Sequence, residues 1–213
     1  MRTAFHAELD ELIGDLAAMG RLASQLMINA SAALLQADLA LADLVIARGD
    51  ELDTQHHDVQ QRCRSLLALQ APVVKGRRTV VAAALYTVGD LQRMGILAQH
   101  TAKIARLTHL SLAFPDDVRT VLAQMSLLAS GLAHQAAAAI ENLDPLSGDR
   151  LARANDEVDA LRRQLFDIVF AESWSYGVEP AIHTALLGRY YERFADHAVA
   201  IARQACYLTN GRR

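Results

Sequence analysis

In the stretch RYYERFADHAVAIARQA, residues 189–205, Glu192 and Asp196 stand four positions apart. On a helix they lie side by side, where like charges repel by ~0.2–0.5 kcal/mol. Two arrangements relieve that repulsion. Arg189 and Arg193, each three residues ahead of an acid, can close a neutralising network on a wet surface. Alternatively, two carboxylates can hold a hard or borderline cation, helped by acids of a neighbouring helix. Asp156 and Asp159 in NDEVD offer that help, so Glu192, Asp196, Asp156 and Asp159 are the candidate metal ligands.

Other chemistry is thinner. The chain has no G-x-S-x-G, no glycine-rich phosphate loop and no H-E-x-x-H. A di-iron bundle needs two Glu-x-x-His strings and two further Glu. The nearest string is Asp53-Thr-Gln-His56, alone, and His56-His57 reads as part of a solvated helix face. The cluster KGRR (75–78) near a helix start opposes the helix dipole and can attract an anion, but reads first as a solvated entry. Without interleaved aromatics it is a poor nucleic-acid signal. Cys63 and Cys206 form no C-x-x-C and read as two reduced, half-buried thiols.

The elements that must carry the acids are helical. The 213 residues are 52% hydrophobic and 5% aromatic, with four prolines, an Ala- and Leu-rich composition suited to helices. Leu9, Leu12, Leu16, Met19, Ala23, Leu26, Ala30 and Ala33 alternate by three and four and predict a first helix over 5–36. Asp38 is a plausible N-cap for a second helix reaching Leu69, disturbed at Gly49-Asp50. A third helix is predicted over 77–109, a fourth from Asp116 to Asn142 and a fifth, capped by Ser147, from Asp149 to Trp174. SYGVEP breaks the pattern before a sixth helix from Ala181 to Leu208, striped by Leu187, Tyr191, Phe194, Ala198, Ile201, Ala205 and Leu208.

The halves repeat. LQRMGILAQHTAKIA (91–105) aligns without gaps on YERFADHAVAIARQA (191–205), placing Arg93 on Arg193 and Ala98 on Ala198. GDELD (49–53) falls on NDEVD (155–159) in the same order. The expectation is an all-α fold of two tandem three-helix bundles, residues 1–110 and 115–213, with helices of about 30 residues and ~45 Å. The net charge of -3 provides no strong field toward nucleic acid or an anionic membrane. No apolar run approaches the ~20 residues of a membrane span, and acids interrupt the first apolar repeat as no signal peptide allows. A cytoplasmic chain is the expectation.

YYERFADHAVAIA resembles the ERxxDxAxxIA signature of the PhoU proteins, accessory regulators of phosphate-specific transport. APVVKGRRTVVAAALYTVGDLQRMG is similar to the family's first-repeat segment, with Pro72 and Arg78 in the expected places. The similarity spans nearly the whole chain and points to the actinobacterial branch, often called PhoY. It implies a non-catalytic, homodimeric cytoplasmic adaptor that couples the phosphate transporter's ATPase subunit to a membrane sensor histidine kinase. Membrane contact would come only through partners. It also implies metal sites, since some members hold a divalent metal or an iron or zinc cluster through Glu/Asp-x-x-x-Asp motifs. Here the second-repeat motif is intact as Glu192 and Asp196, whereas the first-repeat positions are Gln92 and Ile96. An amide is a poor ligand and an alkyl chain none, so the first-repeat cluster is expected to be lost, although Asp90 stays nearby. The alternatives are a metal-binding helical bundle or enzyme unrelated to phosphate control, and a plain dimerisation module.

Overall fold

Helix α1 spans Arg2–Gln36, α2 Leu39–Ala68, α3 Lys75–Thr108, α4 Asp116–Glu141, α5 Ser147–Phe170 and α6 Val178–Thr209. The computed structural model describes residues 2–68, 75–108 and 114–209, and every regular element among them is helical. Pro72 and its connection lie outside the described residues, as do the side chains of Lys75 and Arg77.

The predicted stripes are the core. All eight stripe positions of α1, from Leu9 to Ala33, and all seven of α6, from Leu187 to Leu208, are buried. In α4 the same three-four spacing runs through Val118, Val121, Met125, Leu128, Leu132 and Ala139, all buried except Leu128, which is only half-buried, while Leu122 and Ala129 are fully covered. Tyr191 and Phe194 are the bulkiest fully buried side chains. Burying each of them contributes roughly 1.5–3 kcal/mol relative to exposure.

Helices α1, α2 and α3 all pack on one another, and so do α4, α5 and α6. The two trios join through α1 against α4 and α3 against α6, so α2 and α5 flank a central set of four. One hydrophobic cluster runs through both trios. A buried hydrogen bond of 2.7 Å between Ser31 and Tyr191 ties α1 to α6 across that centre.

Helix ends show the repetition independently of the aligned motifs. At the end of α1, Ala37 adopts a left-handed φ of 55° and Asp38 N–H donates to the Ala33 carbonyl at 3.0 Å. At the end of α4, Leu143 has φ 52° and Asp144 N–H donates to the Ala139 carbonyl at 2.9 Å. Both are the six-to-one bond of a Schellman stop, closed without the usual glycine. Asp38 then caps α2 as expected, accepting from Leu41 N–H at 3.0 Å. In the second half α5 has no side-chain cap; Asp144 instead closes the turn before it, accepting from Leu146 N–H at 3.0 Å. Ser147 is not the cap. Its hydroxyl contacts the Asp144 carbonyl at 2.7 Å and the Ala202 carbonyl at 3.2 Å.

Three expectations about boundaries change. Helix α2 runs unbroken through Gly49. That glycine gives room to Gln99, whose amide donates to the Ile46 carbonyl at 2.9 Å; a Cβ at 49 would lie 2.3 Å from the same amide nitrogen. Helix α5 stops at Phe170, short of Trp174. Helix α6 starts at Val178, with Pro180 in its first turn, where a missing N–H costs no helical bond.

Candidate functional site

Helices α5 and α6 approach closely beside the acidic motif. A Cβ at Gly188, one turn before Glu192, would lie 3.0 Å from Leu165 and 3.6 Å from Arg162. This approach brings Arg162 of α5 to Glu192 of α6, Nε to Oε1 at 3.3 Å. The Arg162 guanidinium also lies 5.4 Å from the Phe166 ring centroid, which steadies it. From its own helix Glu192 receives a hydrogen bond from Arg189 on Oε2. Glu192 is buried, so two guanidinium groups compensate a carboxylate that water does not.

Asp196 is exposed and accepts from Asn155 Nδ2 at 3.0 Å. Asp159 completes the notch. Its carboxyl is held above the usual range, first by burial and then by the negative charges of Asp196 and Glu192, against the opposing pull of Arg162 and Arg163. Of the four candidate residues, Glu192, Asp196 and Asp159 are near enough to feel one another's charge, but among the described residues their carboxylate oxygens do not gather within 4.8 Å of one another. Asp156 lies exposed on α5. The arginine network expected from spacing is half right. Arg189 reaches its acid, but Asp196 is served by an amide rather than by Arg193. Arg162, on a different helix, carried no signal in the local pattern.

The first repeat resolves the same geometry differently. Gln92, at the position of Glu192, donates its amide to Asp53 Oδ1, at the position of Asp159. Where the second half sets carboxylate against carboxylate, the first half forms a hydrogen bond. Asp90 turns to the other half, with its Oδ1 2.9 Å from His197 Nδ1.

Near Asp53, His56 is buried and not on a solvated face as expected, and its Nδ1 has no hydrogen-bond partner among the described residues. Burial, and secondarily the neighbouring His57, hold its pKa below the ordinary histidine range. His57 is exposed, with Nδ1 2.8 Å from the Asp53 carbonyl. Ligand atoms of Asp53, His56 and His57 lie within 4.8 Å of one another, a grouping of three that no other His, Cys, Asp or Glu side chains form among the described residues. Spacing alone does not reveal this cluster, because it does not say which side of α2 faces the core.

The thiols also differ from expectation. Cys63 is fully buried and Cys206 exposed, both unpaired. At the α5–α6 turn an apolar groove of about 580 Å³ opens beside exposed Phe170, Val178 and Ile182. Exposed patches of this kind mark contact surfaces. No helix among the described residues is long and apolar enough to cross a membrane.

Comparison with known proteins agrees with the duplicated architecture. The family model described as PhoU domain matches twice, over residues 16–105 and 122–205. The chain is 41% identical over 211 residues to a Mycobacterium tuberculosis protein named phosphate-specific transport system accessory protein PhoU homolog 2, covering 99% of each. It is 39% identical to PhoU homolog 1 of Mycobacterium leprae, covering 99% of this chain and 95% of that one. Among solved structures, PhoU from Pseudomonas aeruginosa superposes with a TM-score of 0.87 at 24% identity, covering 97% of this chain and 99% of that one. The regulatory protein PhoU from Streptococcus pneumoniae gives 0.85 at 22%, with 97% of each covered. At those identities the superpositions establish the fold alone.

Proposed function

This chain belongs to the PhoU family, and on that premise we propose that it is a cytoplasmic adaptor of phosphate transport. With phosphate plentiful, it restrains uptake and keeps the phosphate-starvation regulon off. Its partners in this reading are the transporter's ATPase subunit and a membrane sensor histidine kinase, engaged by a homodimer. The observation that carries the reading is likeness over 99% of both chains to a relative named as an accessory protein of phosphate-specific transport. The exposed apolar surface at the α5–α6 turn supports work by contact rather than by turnover. Phosphate status would then change which complex is populated.

Capture of both partners by the purified protein, together with starvation-gene transcripts in a deletion strain, tests the adaptor. Any sister copy must be deleted too, because Mycobacterium tuberculosis carries relatives named homolog 1 and homolog 2. Starvation genes that stay silent in such a strain at high phosphate would refute it. Light scattering checks the dimer.

A cation at the acidic notch is a second reading, favoured by the accumulated negative charge around Asp159. A divalent metal or an iron or zinc cluster would take Asp159, Glu192 and Asp196, and Arg162 and Arg189 would have to release Glu192. Metal content of the purified protein, measured beside Glu192→Gln and Asp159→Asn, decides this. Equal content in all three would end it.

A further inference from the structure

Away from the acidic notch, α3 and α6 enclose a second concavity, of about 230 Å³. Arg93 and His100 come from α3; Arg189, Tyr190, Arg193 and His197 come from α6. Five of these six carry or can carry positive charge, Arg93, Arg189 and Arg193 as guanidinium and His100 and His197 as imidazole. Their charges are compensated unequally. Arg189 is shared with Glu192, and His197 with Asp90 at 2.9 Å. Arg93 and Arg193 are exposed and make no ion pair or hydrogen bond among the described residues.

These two arginines hold matching places in the two repeats, as the alignment of residues 91–105 on 191–205 shows. The packing of α3 on α6 brings both copies to one pocket. Two guanidinium forks facing a shared concavity repel when it is empty. They suit an anion with several oxygens, because each fork can give two parallel hydrogen bonds to it. His100 and Tyr190, with ring centroids 5.3 Å apart, add an imidazole and a phenol to the lining. The half-buried aliphatic lining from Ile96 limits access of competing water.

We propose that this pocket binds a free tetrahedral oxyanion of the phosphate class, gripped by Arg93 and Arg193. The binding chemistry stands on the pocket's own geometry; its use as the phosphate input of the adaptor rests on the reading above.

Calorimetric titration of the full-length protein with inorganic phosphate tests it, at ionic strength held constant with chloride because salt screens exposed charges. Wild type is expected to give saturable one-to-one binding. Arg93→Gln and Arg193→Gln each weaken it by about tenfold or more, the scale of losing a charge-assisted hydrogen bond. Both positions are exposed, and unchanged thermal melts should confirm that the variants fold. Should the double variant fail to fold, the two single variants carry the comparison. Absence of saturable heat up to about 10 mM phosphate, a limit of weak affinity, overturns the proposal. So does a double variant that binds like wild type. Phosphoserine, titrated in parallel, separates free phosphate from a phosphorylated side chain; binding of phosphoserine alone overturns the free-ion assignment. Partner capture is scored separately: its loss with phosphate binding intact removes the adaptor reading and leaves the pocket, and the converse removes the pocket alone.

Discussion

Removing the hydroxyl of Tyr191 or of Ser31 should reveal an interaction energy between the two halves of the molecule. Ser31 Oγ donates to the Met27 carbonyl at 2.7 Å, so in the 2.7 Å contact with Tyr191 it is the phenol that donates. Tyr191 is wholly buried, and burial pushes its pKa up to about 12 despite the hydrogen bond to Ser31. Tyr191→Phe deletes the donor and leaves the Ser31 hydroxyl satisfied on its own helix, a loss of about 1 kcal/mol, the net worth of a typical hydrogen bond. Ser31→Ala instead strands the phenol O–H in the core, which costs about 1–3 kcal/mol, reduced by roughly 0.5 kcal/mol because alanine favours the helix. In the double variant no donor is stranded. It should cost about 1 kcal/mol less than the sum of the singles. Urea unfolding followed by far-UV circular dichroism gives the three values. Fluorescence of Trp174, the single tryptophan, reports the far end of α5 and α6, and the two transitions should coincide. Singles that add within ~0.3 kcal/mol, the range expected of independent sites, would refute the assignment of the bond.

Asp159→Asn should stabilise the protein at neutral pH. The carboxyl's raised pKa means its ionised form is less welcome in the fold than in the unfolded chain; that stability is full below the ordinary carboxylate range and is lost as pH rises through the raised value. The gain over wild type should therefore shrink on acidification, and thermal melts across pH 4–8 that show a constant or reversed difference contradict it. Ala37→Gly should raise stability by about 0.5–1 kcal/mol, since relief of left-handed strain of ~1–2 kcal/mol exceeds the extra unfolded-state entropy. The melting temperature should rise by about 2 °C, and a fall would show that the Ala37 turn carries no strain. With a thiol reagent at pH 8, native protein should release one equivalent quickly, from exposed Cys206. Cys63, buried and pushed up to about 11, should react only in denaturant; two fast thiols would disprove its burial.

Apolar spacing made the helices legible, because a stripe such as Leu187 to Leu208 has only one way to be covered. It also placed Glu192 and Asp196 on a common edge and pointed to α5 for their neighbours. What lay beyond reach was direction across helices. Nothing in the order of residues says that Arg162 rather than Arg193 reaches the acids, or that His56 turns inward while His57 turns out. Gly49 read as a weakness because its role depends on Gln99, fifty residues away. Ser147 is a capping residue by type, but its hydroxyl is drawn to the Asp144 and Ala202 carbonyls, the latter on α6 and out of reach of local pattern. Arg93 and Arg193 were aligned as equivalents, yet their meeting in one pocket follows only from α3 lying against α6.

The amide at Gln92 makes the molecule readable in a single orientation. A duplicated scaffold presents any visitor with two related notches. With carboxylates in both notches, a cationic loop from another protein could settle equally well in either. One notch is instead closed by its own Gln92–Asp53 bond while the other keeps three carboxylates, Asp159, Glu192 and Asp196, among arginines. Gln92 and Ile96, standing where the other copy has Glu192 and Asp196, thus give the duplicated scaffold a head and a tail.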